Sequence, residues 1–177
     1  MKVIGSVIGY ALDNSSKRID KEQLNSYLVN SLDNPLTCYT ISRIDKKDIV
    51  RVHASSGTTG KPKIVGYTQG DIDMWGECAA RSLVMAGADK DSVVHIAYGY
   101  GLFTGGLGMH YAGEKLGACV VPASAGNTQK QIQLITDFGA DIICCTPSYI
   151  IYLAEEFERL GLKPGVDIKL KGGIFGA

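Results

Sequence analysis

Residues 118–147 read ACVVPASAGNTQKQIQLITDFGADIICCTP and contain a complete strand–helix–strand unit. The short apolar runs Ala118–Val121 and Ile142–Cys145 predict two buried strands. Between them, Thr128 is placed to cap a helix whose apolar residues recur on one face: Ile132, Ile135 and Phe138. A helix of this length between two strands is a crossover, and crossovers join parallel strands.

The same alternation continues on both sides of this stretch. Before it, we expect a helix capped by Asp71, a strand over Val93–Ala97 and a helix over Gly105–Leu116. After it, Pro147 opens a further helix and Gly172–Phe175 forms a last strand. The sequence therefore predicts an α/β fold, with a three-layer, mostly parallel sheet and helices on both faces.

The amino-terminal part of the chain lacks this alternation. We expect residues 1–49 to be irregular or short-helical, with one short helix over Leu24–Leu32, and residues 50–177 to form an α/β subdomain that is truncated at its carboxy-terminal end. Two short strands, Val50–Ala54 and Ile64–Tyr67, open the second part.

Composition excludes several classes of partner. The 177 residues carry 18 basic and 18 acidic side chains, so no basic excess exists to bind a nucleic-acid backbone. No stretch approaches the 18 or so apolar residues that span a bilayer, and no membrane partner is expected. The five cysteines are odd in number and lack C-x-x-C spacing, which predicts reduced thiols, a cytoplasmic protein and no metal site.

The segment Ser55–Lys63, SSGTTGKPK, is rich in hydrogen-bond donors. Its backbone N–H groups, four hydroxyls and lysines suit a polyphosphate, although a Ser/Thr/Gly cluster is often only a mobile loop. It is not a Walker-type P-loop, because Lys61 is followed by Pro62 and position 55 is serine rather than glycine.

A second candidate site lies at Tyr98–Gly106, YGYGLFTGG. Aromatic rings beside glycines form a flat slot for a planar ring. The alternative is that Tyr98 and Phe103 are core aromatics at the end of a strand.

Four segments resemble one known family. VRVHASSGTTGKPKIVGYT (50–68), YGLFTGGLGMHY (100–111), VVPASAGNT (120–128) and TPSY (146–149) are similar, in order and spacing, to the phenylacetate-CoA ligase branch of the adenylate-forming enzymes. The resemblance runs from about Asn34 to Ala177, and it implies part of the large amino-terminal domain of such an enzyme. Residues 1–33 do not share it.

The resemblance implies ATP-dependent activation of an aryl carboxylic acid through an acyl-adenylate, followed by transfer to coenzyme A, with Mg²⁺ accompanying ATP. It implies a site for the ATP phosphates at Ser55, Ser56, Gly57, Thr58, Thr59, Gly60, Lys61 and Lys63. It also implies an aryl-acid pocket at Tyr98, Phe103, Gly105, Gly176 and Ala177. Many relatives have an uncharged residue where Lys63 stands.

The family's adenine, ribose and metal motifs, and its catalytic lysine, do not occur in these 177 residues. We therefore expect the isolated chain to be inactive, and to associate with itself or with a complementary carboxy-terminal chain. The alternatives are a noncatalytic remnant that acts as a nucleotide-binding or interaction module, or an unrelated small enzyme or NTPase.

Overall fold

The computed structural model describes residues 46–54 and 64–176. These residues belong to two compact units that meet in sequence at Gln69 and Gly70. The predicted helix at Leu24–Leu32 and the donor-rich segment Ser55–Lys63 lie outside the described residues.

The first unit contains a two-stranded antiparallel sheet. Its strands are β1 (Arg51–Ala54) and β2 (Ile64–Tyr67), with Ala54 opposite Ile64, and a short 3-10 helix, Lys46–Asp48, precedes them. His53 is buried in β1 and meets the ring of Tyr67 edge-on, with ring centroids 5.2 Å apart. Both strands agree with the sequence prediction, but they pair with each other instead of joining the parallel sheet.

The second unit alternates helices and strands in the predicted order. It comprises α1 (Gln69–Met85), β3 (Val93–Ile96), α2 (Thr104–Leu116), β4 (Cys119–Val121), α3 (Thr128–Asp137), β5 (Ile142–Cys145), α4 (Pro147–Arg159) and β6 (Gly172–Phe175). The four strands form one parallel sheet in the order β4-β3-β5-β6. The chain therefore starts in the middle of the sheet, adds β4 on one side of β3, and then returns to add β5 and β6 on the other.

Both faces of this sheet are covered. On one face, Val94, Ile96 and Cys144 pack with buried residues of α1 and α2. On the opposite face, Ile143 and Cys145 pack with buried residues of α3 and α4. Adjacent residues of β5 thus enter different cores, as the two-residue period of a strand requires. The predicted three-layer α/β fold is confirmed.

The two predicted helix caps, Asp71 and Thr128, differ from the structure. Helix α1 begins at Gln69, so Asp71 lies inside its first turn instead of capping it. The cap of α3 is Asn127, whose side chain accepts a 3.2 Å hydrogen bond from the Lys130 N–H, and Thr128 is the first helical residue. Phe138, expected on the apolar face, follows the last turn and is exposed.

Among the described helices, none has both the length and the apolar character needed to span a membrane.

Candidate functional site

An open cleft of about 780 Å³ lies beyond the carboxyl ends of strands β3, β4 and β5. Its lining comes from the segments that follow these strands: Ala97, Tyr98, Gly99, Tyr100, Leu102, Phe103, Ala125, Gly126, Thr146, Ser148, Tyr149 and Tyr152. Ala97 and Tyr98 form a buried floor, whereas Leu102, Phe103 and Tyr152 are exposed at the rim.

The strand order explains why a cleft exists at this position. After β3 the chain enters α2, on one face of the sheet, and after the adjacent strand β5 it enters α4, on the opposite face. Segments that leave neighbouring strands in opposite directions open a crevice between them, and ligands of open α/β sheets bind at such switch points.

Tyr98 is fixed at the floor of the cleft by its hydroxyl. The hydroxyl donates a 2.7 Å hydrogen bond to the carbonyl oxygen of Cys145, and the carbonyl oxygens of Gly176 and Ile174 lie 3.3 Å and 3.4 Å away. Burial raises the pKa of Tyr98, so it remains a neutral donor. Because backbone acceptors surround the hydroxyl, the ring is the part of Tyr98 that is left for a ligand.

Phe103 forms the rim next to Tyr98. The two ring centroids are 6.2 Å apart and the rings are tilted by 53°. A Cβ atom added to Gly105 would lie 2.6 Å from the Phe103 ring, so a side chain at this position would displace the ring. Gly105 therefore leaves room for the Phe103 ring and offers no surface of its own to the cleft.

A chain of polar contacts runs from the cleft to the surface of α2. The Tyr100 hydroxyl lies 3.3 Å from Nδ1 of His110, and Nε2 of His110 lies 3.2 Å from a carboxylate oxygen of Glu114. A carboxylate only accepts, so Nε2 of His110 carries the proton in its contact with Glu114. Burial raises the pKa of Tyr100 to about 12, which keeps this hydroxyl protonated.

The chemistry of the lining is aromatic and uncharged. Five of the lining residues carry phenyl or phenol rings: Tyr98, Phe103, Tyr100, Tyr149 and Tyr152. The remaining polar side chains are the hydroxyls of Thr146 and Ser148, and no lining residue is ionised at neutral pH. Such a surface suits a planar apolar group with a small polar end.

The structure brings four of the predicted pocket residues together. Tyr98 and Phe103 line the cleft, Gly105 borders the Phe103 ring, and the carbonyl of Gly176 faces the Tyr98 hydroxyl. Ala177 and the predicted phosphate site at Ser55–Lys63 lie outside the described residues. The binding roles of all these residues stay predictions.

Sequence reasoning left several lining residues unassigned. Tyr100 belongs to the predicted aromatic segment, two residues after Tyr98, but it is not among the predicted pocket residues. Tyr149 and Tyr152 start the helix after β5, and only the strand order places that helix beside the cleft.

Within residues 46–54 and 64–176, no group of three or more His, Cys, Asp or Glu side chains is placed to hold a metal ion.

Comparison with known proteins places this chain in a family. Residues 6–172 match the family model described as AMP-binding enzyme. The chain is 57% identical over 139 residues to a phenylacetate-coenzyme A ligase of Pseudomonas putida, covering 78% of this chain and 31% of that protein. It is 55% identical over 134 residues to a phenylacetate-coenzyme A ligase of Escherichia coli strain K12, covering 76% and 31%. The chain thus spans about a third of the length of these curated relatives.

Solved structures of a CoA ligase share the fold. A 2-hydroxyisobutyryl-CoA ligase in complex with 2-HIB-AMP and CoA superposes with a TM-score of 0.69 at 29% identity, over 75% of this chain and 28% of that one. The same ligase in the postadenylation state superposes over 90% of this chain and 32% of that one, with a TM-score of 0.72 at 24% identity. Because the family model matches residues 6–172, which is nearly the whole chain, the chain belongs to the AMP-binding enzyme family.

Proposed function

We propose that the chain forms the acid-binding part of an ATP-dependent ligase that activates an aryl carboxylic acid of the phenylacetate class and transfers it to coenzyme A. The observation that carries this proposal is the uncharged aromatic cleft at the switch point of the parallel sheet. Identities of 55% and 57% to phenylacetate-coenzyme A ligases support the same reaction class.

The proposed reaction has two balanced steps. A carboxylate oxygen of the acid attacks the α-phosphorus of ATP, and pyrophosphate leaves with the electrons of the broken P–O bond. The thiol sulfur of coenzyme A then attacks the acyl carbon, AMP leaves, and the thiol proton is released. Charge develops on the departing pyrophosphate in the first step, and hydrogen-bond donors that surround it lower the barrier.

The donor-rich segment Ser55–Lys63 is proposed to supply these donors. Its hydroxyls at Thr58 and Thr59 and the amides of Gly57 and Gly60 are the proposed phosphate contacts, with Lys61 or Lys63 adding positive charge. Mg²⁺ accompanies ATP in phosphoryl chemistry. We assign it no ligand, because no group of three or more His, Cys, Asp or Glu side chains among the described residues is placed to hold a metal ion.

The cleft also supports the choice of acid. Rings at Tyr98 and Phe103 offer a flat surface of aryl size, with ring centroids 6.2 Å apart. We therefore propose an aryl acid over a long-chain fatty acid. The described cysteines are free thiols, which fits the proposed location in the reducing cytoplasm.

A partner is proposed as well. Phe175, at the end of β6, is 46% exposed, and β6 pairs only with β5 among the described strands. An unpaired strand edge with an exposed aromatic residue favours association with a second chain. Light scattering at two protein concentrations tests this, because a monomer at both would contradict it.

Phenylacetate-dependent ATP–pyrophosphate exchange tests the activity. We expect no exchange from the 177-residue chain alone, and exchange when the remaining carboxy-terminal portion of the Pseudomonas putida relative is added. A T58A/T59A double variant should abolish the reconstituted exchange. If the reconstituted protein shows no phenylacetate-dependent exchange, the ligase proposal is wrong and a noncatalytic nucleotide-binding module is favoured.

A further inference from the structure

We propose that Gln131 and His95 form a buried clamp that fixes the loop between β4 and α3, and thereby one wall of the cleft. Gln131 is a positioning residue in this proposal, because it acts on a ligand only through the loop. The identity of the ligand rests on the proposed function, whereas the clamp itself does not.

The loop needs an external restraint. Ser124 and Asn127 have positive φ values of 64° and 46°, and Gly126 has a φ of 89°. Residues other than glycine rarely adopt this left-handed region, because their Cβ atom crowds the backbone there. Ala125 and Gly126 lie between these two non-glycine residues and line the cleft, so the strain flanks its wall.

Gln131 supplies that restraint from the first turns of α3. Its side chain is buried, with 2% exposure, and its amide nitrogen donates to the carbonyl oxygens of Ser124 (2.6 Å) and Gly126 (3.0 Å). Both amide hydrogens therefore hold the loop on either side of Ala125. This arrangement fixes the orientation of the amide, because only the nitrogen can donate to two carbonyls.

His95 completes the clamp from the central strand. The amide oxygen of Gln131 lies 2.6 Å from Nε2 of His95, which is fully buried in β3. Since that oxygen only accepts, Nε2 must carry the proton and Nδ1 must be bare. The structure agrees, because Nδ1 is buried and has no hydrogen-bond partner among the described residues. Burial also lowers the pKa of His95 and favours the neutral ring.

The clamp ties the loop to β3, the strand that leads into the floor of the cleft. His95 precedes Tyr98 by three residues, so one short segment holds both the loop and the ring beneath it. The backbone adds one further tie, in which the Ser124 N–H donates to the carbonyl oxygen of Ile96. Loss of the side-chain clamp should make the backbone of Ala125 and Gly126 more mobile. It should leave Tyr98 and Phe103 in place.

The test compares Gln131→Met with Gln133→Met in the 177-residue chain. Methionine keeps the volume of glutamine and removes its polar atoms, and Gln133 is an exposed residue of the same helix.

Binding of 4-fluorophenylacetate is followed by ¹⁹F NMR, and amide hydrogen exchange is measured at Ala125 and Gly126. Gln131→Met should weaken binding about tenfold and accelerate loop exchange by a similar factor, as expected for the loss of buried hydrogen bonds. Gln133→Met should change neither.

Nitrogen-15 NMR of His95 in the unsubstituted chain provides a second measurement that needs no variant. The expected signal is that of a neutral ring protonated at Nε2. A ring protonated at Nδ1 would overturn the clamp, and so would equal loop exchange in the two variants. If Gln131→Met does not fold, the tautomer of His95 in the unsubstituted chain still tests the clamp. If the unsubstituted chain binds no 4-fluorophenylacetate, the proposed function fails, while loop exchange and the tautomer still judge the clamp.

Discussion

The hydroxyl of Tyr98 donates a 2.7 Å hydrogen bond to the carbonyl oxygen of Cys145. Tyr98 follows β3 and Cys145 ends β5, so this bond joins two neighbouring strands just beyond the point where their backbone pairing stops. The same carbonyl receives the Gly176 N–H at 3.4 Å, which extends the connection to the end of β6. The Tyr98 side chain thus holds the floor of the cleft at a point beyond the backbone pairing of β3 with β5.

Tyr98→Phe is expected to lower the free energy of unfolding by about 1–2 kcal/mol, because the buried Cys145 carbonyl loses the shorter of its two hydrogen bonds. Urea unfolding measures the loss, and hydrogen exchange should be faster at Gly176. Tyr152→Phe is the matched control, since Tyr152 is 46% exposed and its ring contact with Tyr149 is kept. A control that loses as much stability as Tyr98→Phe would contradict this role for the hydroxyl.

Two glycines inside helices should respond in opposite ways to alanine. A Cβ atom at Gly106 in α2 would lie 2.7 Å from the carbonyl oxygen of Gly99, whereas at Gly76 in α1 the nearest atom would be 3.7 Å away. Gly106→Ala must move the backbone beside the cleft, and we expect a loss of about 1–3 kcal/mol. Gly76→Ala should gain about 0.5–1 kcal/mol from helix propensity. Thermal unfolding of both variants checks the two signs, and a stabilising Gly106→Ala would refute the close approach.

Asp141 should make stability depend on pH. Burial alone would raise the pKa of Asp141, but hydrogen bonds from the Lys171 ammonium (2.7 Å) and the Val93 N–H (2.8 Å) outweigh it and hold the pKa below its usual value. Such a carboxylate stabilises the folded state fully above its unfolded pKa, about 3.9, and loses that effect as the pH falls through the lower folded value.

Asp141→Asn should therefore cost about 1 kcal/mol at pH 7, because the amide still accepts from Val93 but loses the charge facing Lys171. The difference from the unsubstituted chain should shrink as the pH falls below about 4. Urea unfolding between pH 7 and pH 3 measures it, with the exposed Asp137→Asn as control. A difference that is constant with pH would rule out the ionic contribution.

The cysteines should differ sharply in reactivity. Burial raises the pKa of Cys144 to about 12 and that of Cys145 to about 11, whereas Cys78 and Cys119 are exposed. Only the thiolate is alkylated rapidly. Iodoacetamide at pH 8 should therefore modify Cys78 and Cys119 in the folded chain and reach Cys144 and Cys145 only after unfolding. Mass spectrometry of the peptides distinguishes them, and early labelling of Cys145 would contradict the packing of β5 against α3 and α4.

Sequence patterns predict the sheet well because its strands are short, buried and bounded by turn residues. The bounds of β5 and β6 agree with the prediction residue for residue, as does the start of α4 at Pro147. Helix ends are less predictable, because several polar residues compete to cap them. At α3, Asn127 reaches the Lys130 N–H by adopting a left-handed backbone, and no periodic pattern indicates this.

The cleft is only partly predictable for a different reason. Tyr98 and Phe103 stand in one short segment, where aromatic rings beside glycines are visible in the sequence. Tyr149 reaches the same cleft from a segment some fifty residues away, and this proximity depends on the strand order. The polar contacts of Gln131 are equally hidden, because a glutamine in an amphipathic helix usually faces solvent.

The strand order also constrains how this chain acquires its structure during synthesis. Strand β3 is the first strand of the parallel sheet to be made, yet it needs a neighbour on each side, and the Asp141 carboxylate that binds the Val93 N–H lies 48 residues later in the chain. Pairings of such separation slow the search for the native topology. Until β5 emerges, β3 presents an open apolar edge, and the nascent chain is most prone to mispairing at its future centre. Conditions that delay β5, such as slow translation of residues 128–145, should therefore reduce the yield of folded protein more than the same delay after residue 145.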